Sequence, residues 1–167
     1  MQEGNKILDS NKITKATLRI AYQIFESNMN KNQIFLVGIS SNGIIFSKKI
    51  AKKLKEISTI KVETIELKLD KKNPRKGIKI GYELNNLKDR SIVVIDDVLD
   101  TGRTLLYAVN AFLKIPLEQI QTVVLVNRNH KKFPIKADFK GISLSTSVKE
   151  HIDVIFFPKN KEGVYLS

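Results

Sequence analysis

Apolar runs separated by glycine, proline and asparagine divide the chain into alternating helix-type and strand-type segments. Ser10 or Asn11 caps a predicted helix from about Lys12 to Ser27, with Ile13, Thr17, Ile20, Ala21 and Ile24 on one face. After the polar break Asn28 to Asn32, Ile34 to Val37 reads as a buried strand and Gly38 to Gly43 as a tight loop. Gly43 to Ile57 reads as a helix with Ile50, Leu54 and Ile57 inward and Lys48, Lys49, Lys52, Lys53 and Lys55 outward. Ile60 to Leu69 is a strand, the charged segment DKKNPRKG (Asp70 to Gly77) a loop, and Ile78 to Tyr82 a short returning strand. Beyond a turn at Asn85-Asn86 come a strand from Ser91 to Ile95, a helix from Thr104 to Lys114, a stop near Pro116 and a strand from Thr122 to Val126. A loop holding Arg128, His130 and Pro134 follows, then a short strand at Ile135 to Phe139 and a last strand near Ile152 to Phe157. Helices alternating with buried strands predict an α/β fold, a Rossmann-like parallel sheet flanked by helices, in a single domain over residues 1–167.

Composition narrows the classes. At 42% hydrophobic and 7% aromatic the chain has ordinary globular values, which argues against disorder. With no cysteine, disulfides and thiolate metal sites are excluded. No apolar stretch reaches the roughly twenty residues that span a bilayer, and MQEGNKILDSN lacks a signal-peptide core, so a cytoplasmic protein with no membrane partner is expected. The net charge of +12 raises nucleic acid as a partner. Only five of the 29 basic residues are arginine (Arg19, Arg75, Arg90, Arg103, Arg128), the type favoured for bidentate phosphate contacts. This favours a solvated basic surface and leaves RNA open.

The chemistry concentrates in IVVIDDVLDTGRT, Ile92 to Thr104. Ile92 to Ile95 is an unbroken β-branched run, suited to a parallel strand buried on both faces, and Asp96-Asp97 falls at its carboxyl end, where open α/β sheets bind ligands. Thr101-Gly102-Arg103-Thr104 then opens a helix, whose first N–H groups and partial positive charge receive a phosphate. Taken singly, an acidic strand end or a Thr-Gly turn is ordinary structure; in this order and spacing they suit a phosphorylated sugar. A P-loop ATPase would need an upstream Gly-Lys-Ser/Thr loop, which the chain lacks, and a receiver domain would carry its acidic pair near the first strand.

The motif resembles the phosphoribosyl-pyrophosphate motif of type I phosphoribosyltransferases. Over most of its length the chain is similar to the pyrimidine operon attenuator/uracil phosphoribosyltransferase family, through LRIAYQIFESN (Leu18 to Asn28), IFLVGI, DDVLDTGRTL and VLVNRNHKKFPIKADFKG (Val124 to Gly141). The resemblance implies transfer of phosphoribose from phosphoribosyl pyrophosphate to a nucleobase, uracil first, with magnesium, by a homodimer or dimer of dimers that also binds RNA. Asp96 and Asp97 would orient the ribose hydroxyls, directly or through magnesium-bound water. Asp100, Thr101, Gly102, Arg103 and Thr104 would bind the 5-phosphate, and Gly38, Ile39, Ser40, Ser41, Asn42 and Gly43 the pyrophosphate. Relatives commonly have a cation where this chain has Asn42, so either a Lys or Arg arrives from the Asp70 to Lys79 loop or backbone and magnesium hold the pyrophosphate.

The Asp70 to Lys79 loop is expected to close as a lid with Arg75 and Lys76, and a small hood is expected from the chain ends and the Arg128 to Phe139 region. Asp100 is placed for acid/base work on the nucleobase, and Asn127 and Arg128 fall in the nucleobase region, with Asn129 beside them. The RNA-facing set keeps Arg19, His130, Lys131 and Lys136, while Leu18, Tyr22 and Ile142 stand where the family has polar residues. Two alternatives stay open: an RNA-binding regulator that uses the site as a nucleotide sensor, and a hypoxanthine/guanine transferase, which Asp100 favours.

Overall fold

The computed structural model describes residues 4–128, 130–147 and 149–167. Strands β1 (Asn5–Asp9), β2 (Gln33–Ile39), β3 (Lys61–Leu69), β4 (Ile78–Ile80), β5 (Ser91–Leu99), β6 (Gln119–Arg128), β7 (Phe139–Leu144), β8 (Ile152–Ile155) and β9 (Gly163–Leu166) alternate with helices α1 (Ser10–Ser27), α2 (Asn42–Ile57) and α3 (Arg103–Phe112). The main sheet has the order β4-β3-β2-β5-β6-β7, parallel except for β4, which returns antiparallel on β3. Beside it lies a smaller antiparallel sheet, β1-β9-β8.

The buried strands carry side chains to both faces, which is why β2, β5 and β6 read as continuous apolar runs. On one face Ile13, Ile20 and Ile24 of α1 and Phe46, Ile50 and Leu54 of α2 pack on Leu36, Val93, Ile95 and Leu125. On the other, Leu105, Ala108 and Phe112 of α3 cover Phe35, Val37, Ile92 and Val94. The parallel α/β class is therefore as the alternation implied.

Several boundaries differ from the sequence reading. Asp9, not Ser10 or Asn11, caps α1, accepting from Lys12 N at 2.8 Å, because β1 runs straight into the helix. Such a cap contributes about 1 kcal/mol. The expected Gly38 to Gly43 loop shrinks to Ser40-Ser41, since β2 continues through Ile39 and α2 begins at Asn42. β5 runs on to Leu99, so Asp96 and Asp97 lie inside a strand rather than past its end. Arg128 ends β6 instead of entering a loop.

The strand expected at Ile135 to Phe139 begins only at Phe139. Ile135 and Ala137 pack into the α3-side core instead, and Asp138 accepts from Thr122 N (2.8 Å) and Thr122 Oγ1 (3.0 Å). The second sheet does come from the chain ends, together with β8. The Arg128 to Phe139 region takes no part in it and lies across the start of α3, where Lys132 N and Phe133 N both donate to Thr101 O (2.9 and 3.0 Å).

Candidate functional site

The carboxyl ends of β3, β5 and β6 and the first turns of α2 and α3 surround a cleft of about 560 Å³, which the β8 segment 151–154 closes on one side. Close packing sets its geometry. A Cβ on Gly43 would stand 2.6 Å from Ile95 O, so only glycine lets the start of α2 rest on β5. That contact brings Asn42 to Asp97: Asn42 Nδ2 donates to Asp97 Oδ2 at 2.8 Å and to Val154 O at 2.9 Å.

Asp96 is 2% exposed. Its Oδ1 accepts from Asp97 N at 2.9 Å, and Asp97 Oδ1 accepts from Val98 N at 3.0 Å. Lys71, from the loop after β3, inserts its ammonium between the two, 2.8 Å from Asp96 Oδ1 and 3.1 Å from Asp97 Oδ1. Burial, reinforced by the charge of Asp97, pushes the Asp96 carboxyl up to about 8 against the pull of Lys71. Burial would also raise Asp97, but the Lys71 ammonium and hydrogen bonds from Asp96 and Asn42 outweigh it and hold Asp97 below the usual carboxylate range. Lys71 is likewise raised, because the two acids overcome its own desolvation. The shared site thus drives the two neighbouring carboxyls in opposite directions, Asp96 upward and Asp97 downward.

Gly102 caps α3 with φ +86°, a backbone conformation that favours glycine, and a Cβ there would come within 2.8 Å of Ile135 Cγ2. Arg103 N donates to Thr101 Oγ1 at 3.3 Å, while the Arg103 guanidinium donates to Lys72 O (3.1 Å) and Lys71 O (3.4 Å). Thr101, Gly102, Arg103 and Thr104 all line the cleft, at the end of α3 where the first N–H groups have no intrahelical partner. An acidic pair thus faces a helix start across one cavity.

Residues 3–155 match the family model of the phosphoribosyl transferase domain. The chain belongs to that family. Among curated relatives, the bifunctional protein PyrR of Pediococcus pentosaceus is 37% identical, the alignment covering 96% of this chain and 97% of that one. The protein of the same name from Fusobacterium nucleatum is 38% identical, with 89% and 88% covered. A variant hypoxanthine phosphoribosyltransferase of Trypanosoma cruzi, solved with its product IMP, superposes with a TM-score of 0.83 at 13% identity, covering 99% of this chain and 91% of that one. A hypoxanthine-guanine phosphoribosyltransferase of Bacillus anthracis gives 0.74 at 14%, with 87% and 85% covered. At those identities the structural likeness concerns the fold. The phosphoribosyltransferase is a pentosyltransferase, the enzyme class the motif implied.

Other expected site residues of this phosphoribosyltransferase separate. Of Gly38 to Gly43 only Asn42 lines the cleft; Gly38 and Ile39 are buried strand residues. Arg75 and Lys76 sit exposed in a short turn, Lys76 facing Asp70 at 3.5 Å, and neither reaches the cleft. Their loop instead contributes Lys71, a cation from the expected segment but not one of the two singled out; it stands two residues beyond β3, at the carboxyl edge where such sheets gather ligands.

Asp100 lies 3.4 Å from Arg128 Nη1. Arg128, 6% exposed, also binds Thr146 Oγ1 (2.9 Å), Ser147 O (3.2 Å) and Glu150 O (2.9 Å) and stands 3.2 Å from His130 Nδ1. Asn127 lies outside the cleft lining, donating to Ser143 Oγ at 3.2 Å, and its buried Oδ1 has no partner among the described residues. Asn129 falls outside the described residues.

The four expected RNA-facing residues fall into separate environments. Arg19 binds Lys140 O (3.1 Å) and Gly141 O (2.5 Å), tying α1 to β7. His130 Nε2 lies 2.7 Å from Thr146 O, and Lys131 and Lys136 are exposed on the segment before β7.

Asp96 and Asp97 provide hard oxygen donors of the kind magnesium takes alongside substrate phosphates and water. Among the described residues no group of three His, Cys, Asp or Glu side chains forms a complete protein cage. The donor set fits an ion that enters with its substrate. No helix of the described residues is long and apolar enough to cross a membrane.

Proposed function

We propose that the enzyme transfers the 5-phosphoribosyl group from phosphoribosyl pyrophosphate to uracil, giving uridine monophosphate and pyrophosphate. The observation that carries this reading is the single cleft in which the Asp96-Asp97 pair faces the Gly102-Arg103 helix start. In it, Asp96 and Asp97 hold the ribose hydroxyls. The N–H groups and hydroxyls of residues 101–104 receive the 5-phosphate. As pyrophosphate departs, positive charge grows on the sugar ring, and the ionised Asp97 stabilises it electrostatically in a largely buried setting. Asp96 and Asp97 would hold magnesium, which when bound neutralises charge on the leaving diphosphate.

Asn42, at the pyrophosphate end, keeps Asp97 aimed. Asp100 positions Arg128, which in turn holds Thr146, Ser147 and Glu150 beside the nucleobase end. Uracil is preferred on the resemblance of VLVNRNHKKFPIKADFKG to the attenuator/uracil transferase family. The reading includes a homodimer or dimer of dimers as the assembly, the cytoplasm as the compartment and residues 1–167 as one unit. The last point is supported by Glu162, whose carboxylate accepts from Ser10 of α1 and Lys49 of α2.

The test is to incubate the protein with magnesium, phosphoribosyl pyrophosphate and a panel of nucleobases, following base loss and pyrophosphate release. Consumption of uracil is expected. Consumption of hypoxanthine or guanine in its place would transfer the reading to purines, and turnover of no base would overturn it.

RNA binding is a second reading, favoured by the relatives' name "bifunctional protein" and by the net charge of +12. Filter binding to pyrimidine-operon leader RNA with a steep salt dependence would support it.

A further inference from the structure

The segment between β3 and β4, residues 70–77, enters the cleft at Lys71 and Lys72 and is fastened there at two points. One is the Lys71 ammonium, 2.8 Å from Asp96 Oδ1 and 3.1 Å from Asp97 Oδ1. The other is the Arg103 guanidinium, which donates to the carbonyls of Lys72 (3.1 Å) and Lys71 (3.4 Å). Both fastenings therefore use groups that a phosphorylated sugar and its cation would claim. The side chains of Asp96 and Asp97 are 3% and 13% exposed, and Asn42 already takes Asp97 Oδ2, so a cation that bridges the two carboxylates meets Lys71 at their Oδ1 atoms. An ammonium and a divalent ion cannot share that position, because at such separations their repulsion is large in a poorly solvated site. Arg103, next to the helix start, would likewise exchange two carbonyls for a phosphate, a stronger, charge-assisted partner.

We propose that residues 70–77 form a latch, held across the donor site by Lys71 and Arg103, which the sugar-phosphate donor and its divalent cation open by taking over both of its partners. The proposal rests on the reading of Asp96, Asp97 and residues 101–104 as the donor site. It gives the loop a role before the reaction: in the ligand-free state it fills the cation position with a residue of the chain, and donor binding frees it. Lys71 is then a positioning residue that sets how readily the carboxylate pair accepts a metal.

The test uses manganese(II) as the probe, its free concentration read by electron paramagnetic resonance, with no nucleobase present. Lys71→Met should bind the ion about tenfold more tightly than the parent. Lys79→Met makes the same charge change on an exposed β4 residue outside the cleft lining, and should stay within about twofold of the parent, as expected of a screened charge. Equal tightening in both variants, or none in Lys71→Met, would overturn the latch.

Asp97→Asn separates this inference from the reading beneath it. Weakened manganese binding in Asp97→Asn with no gain in Lys71→Met defeats the latch alone, whereas manganese binding that ignores Asp97→Asn defeats the assignment of the carboxylates as well. Should Lys71→Met fail to fold, hydrogen exchange on the parent protein decides. The amides of Lys72 and Asn73, bonded to Asp70 Oδ1 at 2.9 and 3.2 Å, should exchange faster once manganese and ribose 5-phosphate are added. Unchanged or slower exchange would overturn the proposal.

Discussion

Asn42 joins three parts of the molecule through one amide: from the first turn of α2 it donates to Asp97 on β5 at 2.8 Å and to the Val154 carbonyl on β8 at 2.9 Å. The position resembles one at which relatives carry a cation, and here a neutral donor holds Asp97 in place while the nearby positive charge comes from Lys71. Asn42→Ala should lower kcat/KM for phosphoribosyl pyrophosphate about tenfold and stability by about 1 kcal/mol, the worth of a hydrogen bond to a charged acceptor less what water restores. Steady-state kinetics and urea titration check this, and kinetics equal to the parent's would show that Asp97 is oriented without Asn42.

Asp97 is the carboxyl held below the usual carboxylate range, so its charge is available to stabilise a cationic sugar. Asp97→Asn keeps the shape and removes the charge, so kcat should fall at least about a hundredfold, the size of loss that follows removal of one preorganised electrostatic group. Lys71 would then face a neutral amide in place of one of its two acids, so circular dichroism and a melting curve should accompany the kinetics. A folded variant as fast as the parent would mean that the charge acts elsewhere.

Gly102 is held at φ +86° with Ile135 against the position of a Cβ. Gly102→Ala meets both obstacles, and the expected cost is about 1–2 kcal/mol of stability together with weaker binding of the phosphate-bearing donor, because the helix start must shift to admit the methyl group. Thermal denaturation and donor KM report the two effects. The further change Ile135→Ala in the same chain should return part of the stability, and an absence of any such recovery would show that the backbone angle, not the contact, dominates.

How far the sequence revealed this site depended on the distance between partners. Asp96 to Thr104 are contiguous, so a strand, a turn and a helix start read in one pass place the acids and the turn that opens α3 together. Lys71 reaches Asp96 across 25 positions and Arg103 reaches the carbonyl of Lys72 across 31, and such contacts need the order of β3 and β5 in the sheet, which periodicity does not supply. Arg75 and Lys76 looked like better ligands by charge alone, but Pro74 starts a short turn that carries them away from the cleft. The smaller sheet was legible only in part: its β8 and its origin in the chain ends were expected, but its two terminal strands were not. β1 and β9 are five and four residues long and pair from opposite ends of the chain, Asp9 with Gly163, so neither shows a pattern strong enough to stand alone. The parallel core was legible because β2, β5 and β6 are buried on both faces and carry their signal in composition.

The attachment of the smaller sheet leads to a pH dependence whose sign follows from Glu162. This residue is 6% exposed and accepts from Ser10 Oγ at 2.6 Å and from Lys49 Nζ at 2.5 Å, joining the last turn before β9 to both α1 and α2. Burial would raise its carboxyl, but the hydrogen bonds from Lys49 and Ser10 and the charge of Lys49 prevail and hold it below the ordinary value of 4.5. A carboxyl lowered in the folded state adds stability above its unfolded value, and that contribution is lost as pH falls through the folded value, because the unfolded chain binds the proton first. The parent should therefore lose melting temperature as pH is lowered through 4.5 and below, and Glu162→Gln, which starts lower at neutral pH, should show a shallower acid limb, the two curves converging at the acid end. Calorimetry across that range measures both. Parallel curves would show that Glu162 is replaceable by a neutral acceptor and that the acid sensitivity of the fold comes from other carboxylates.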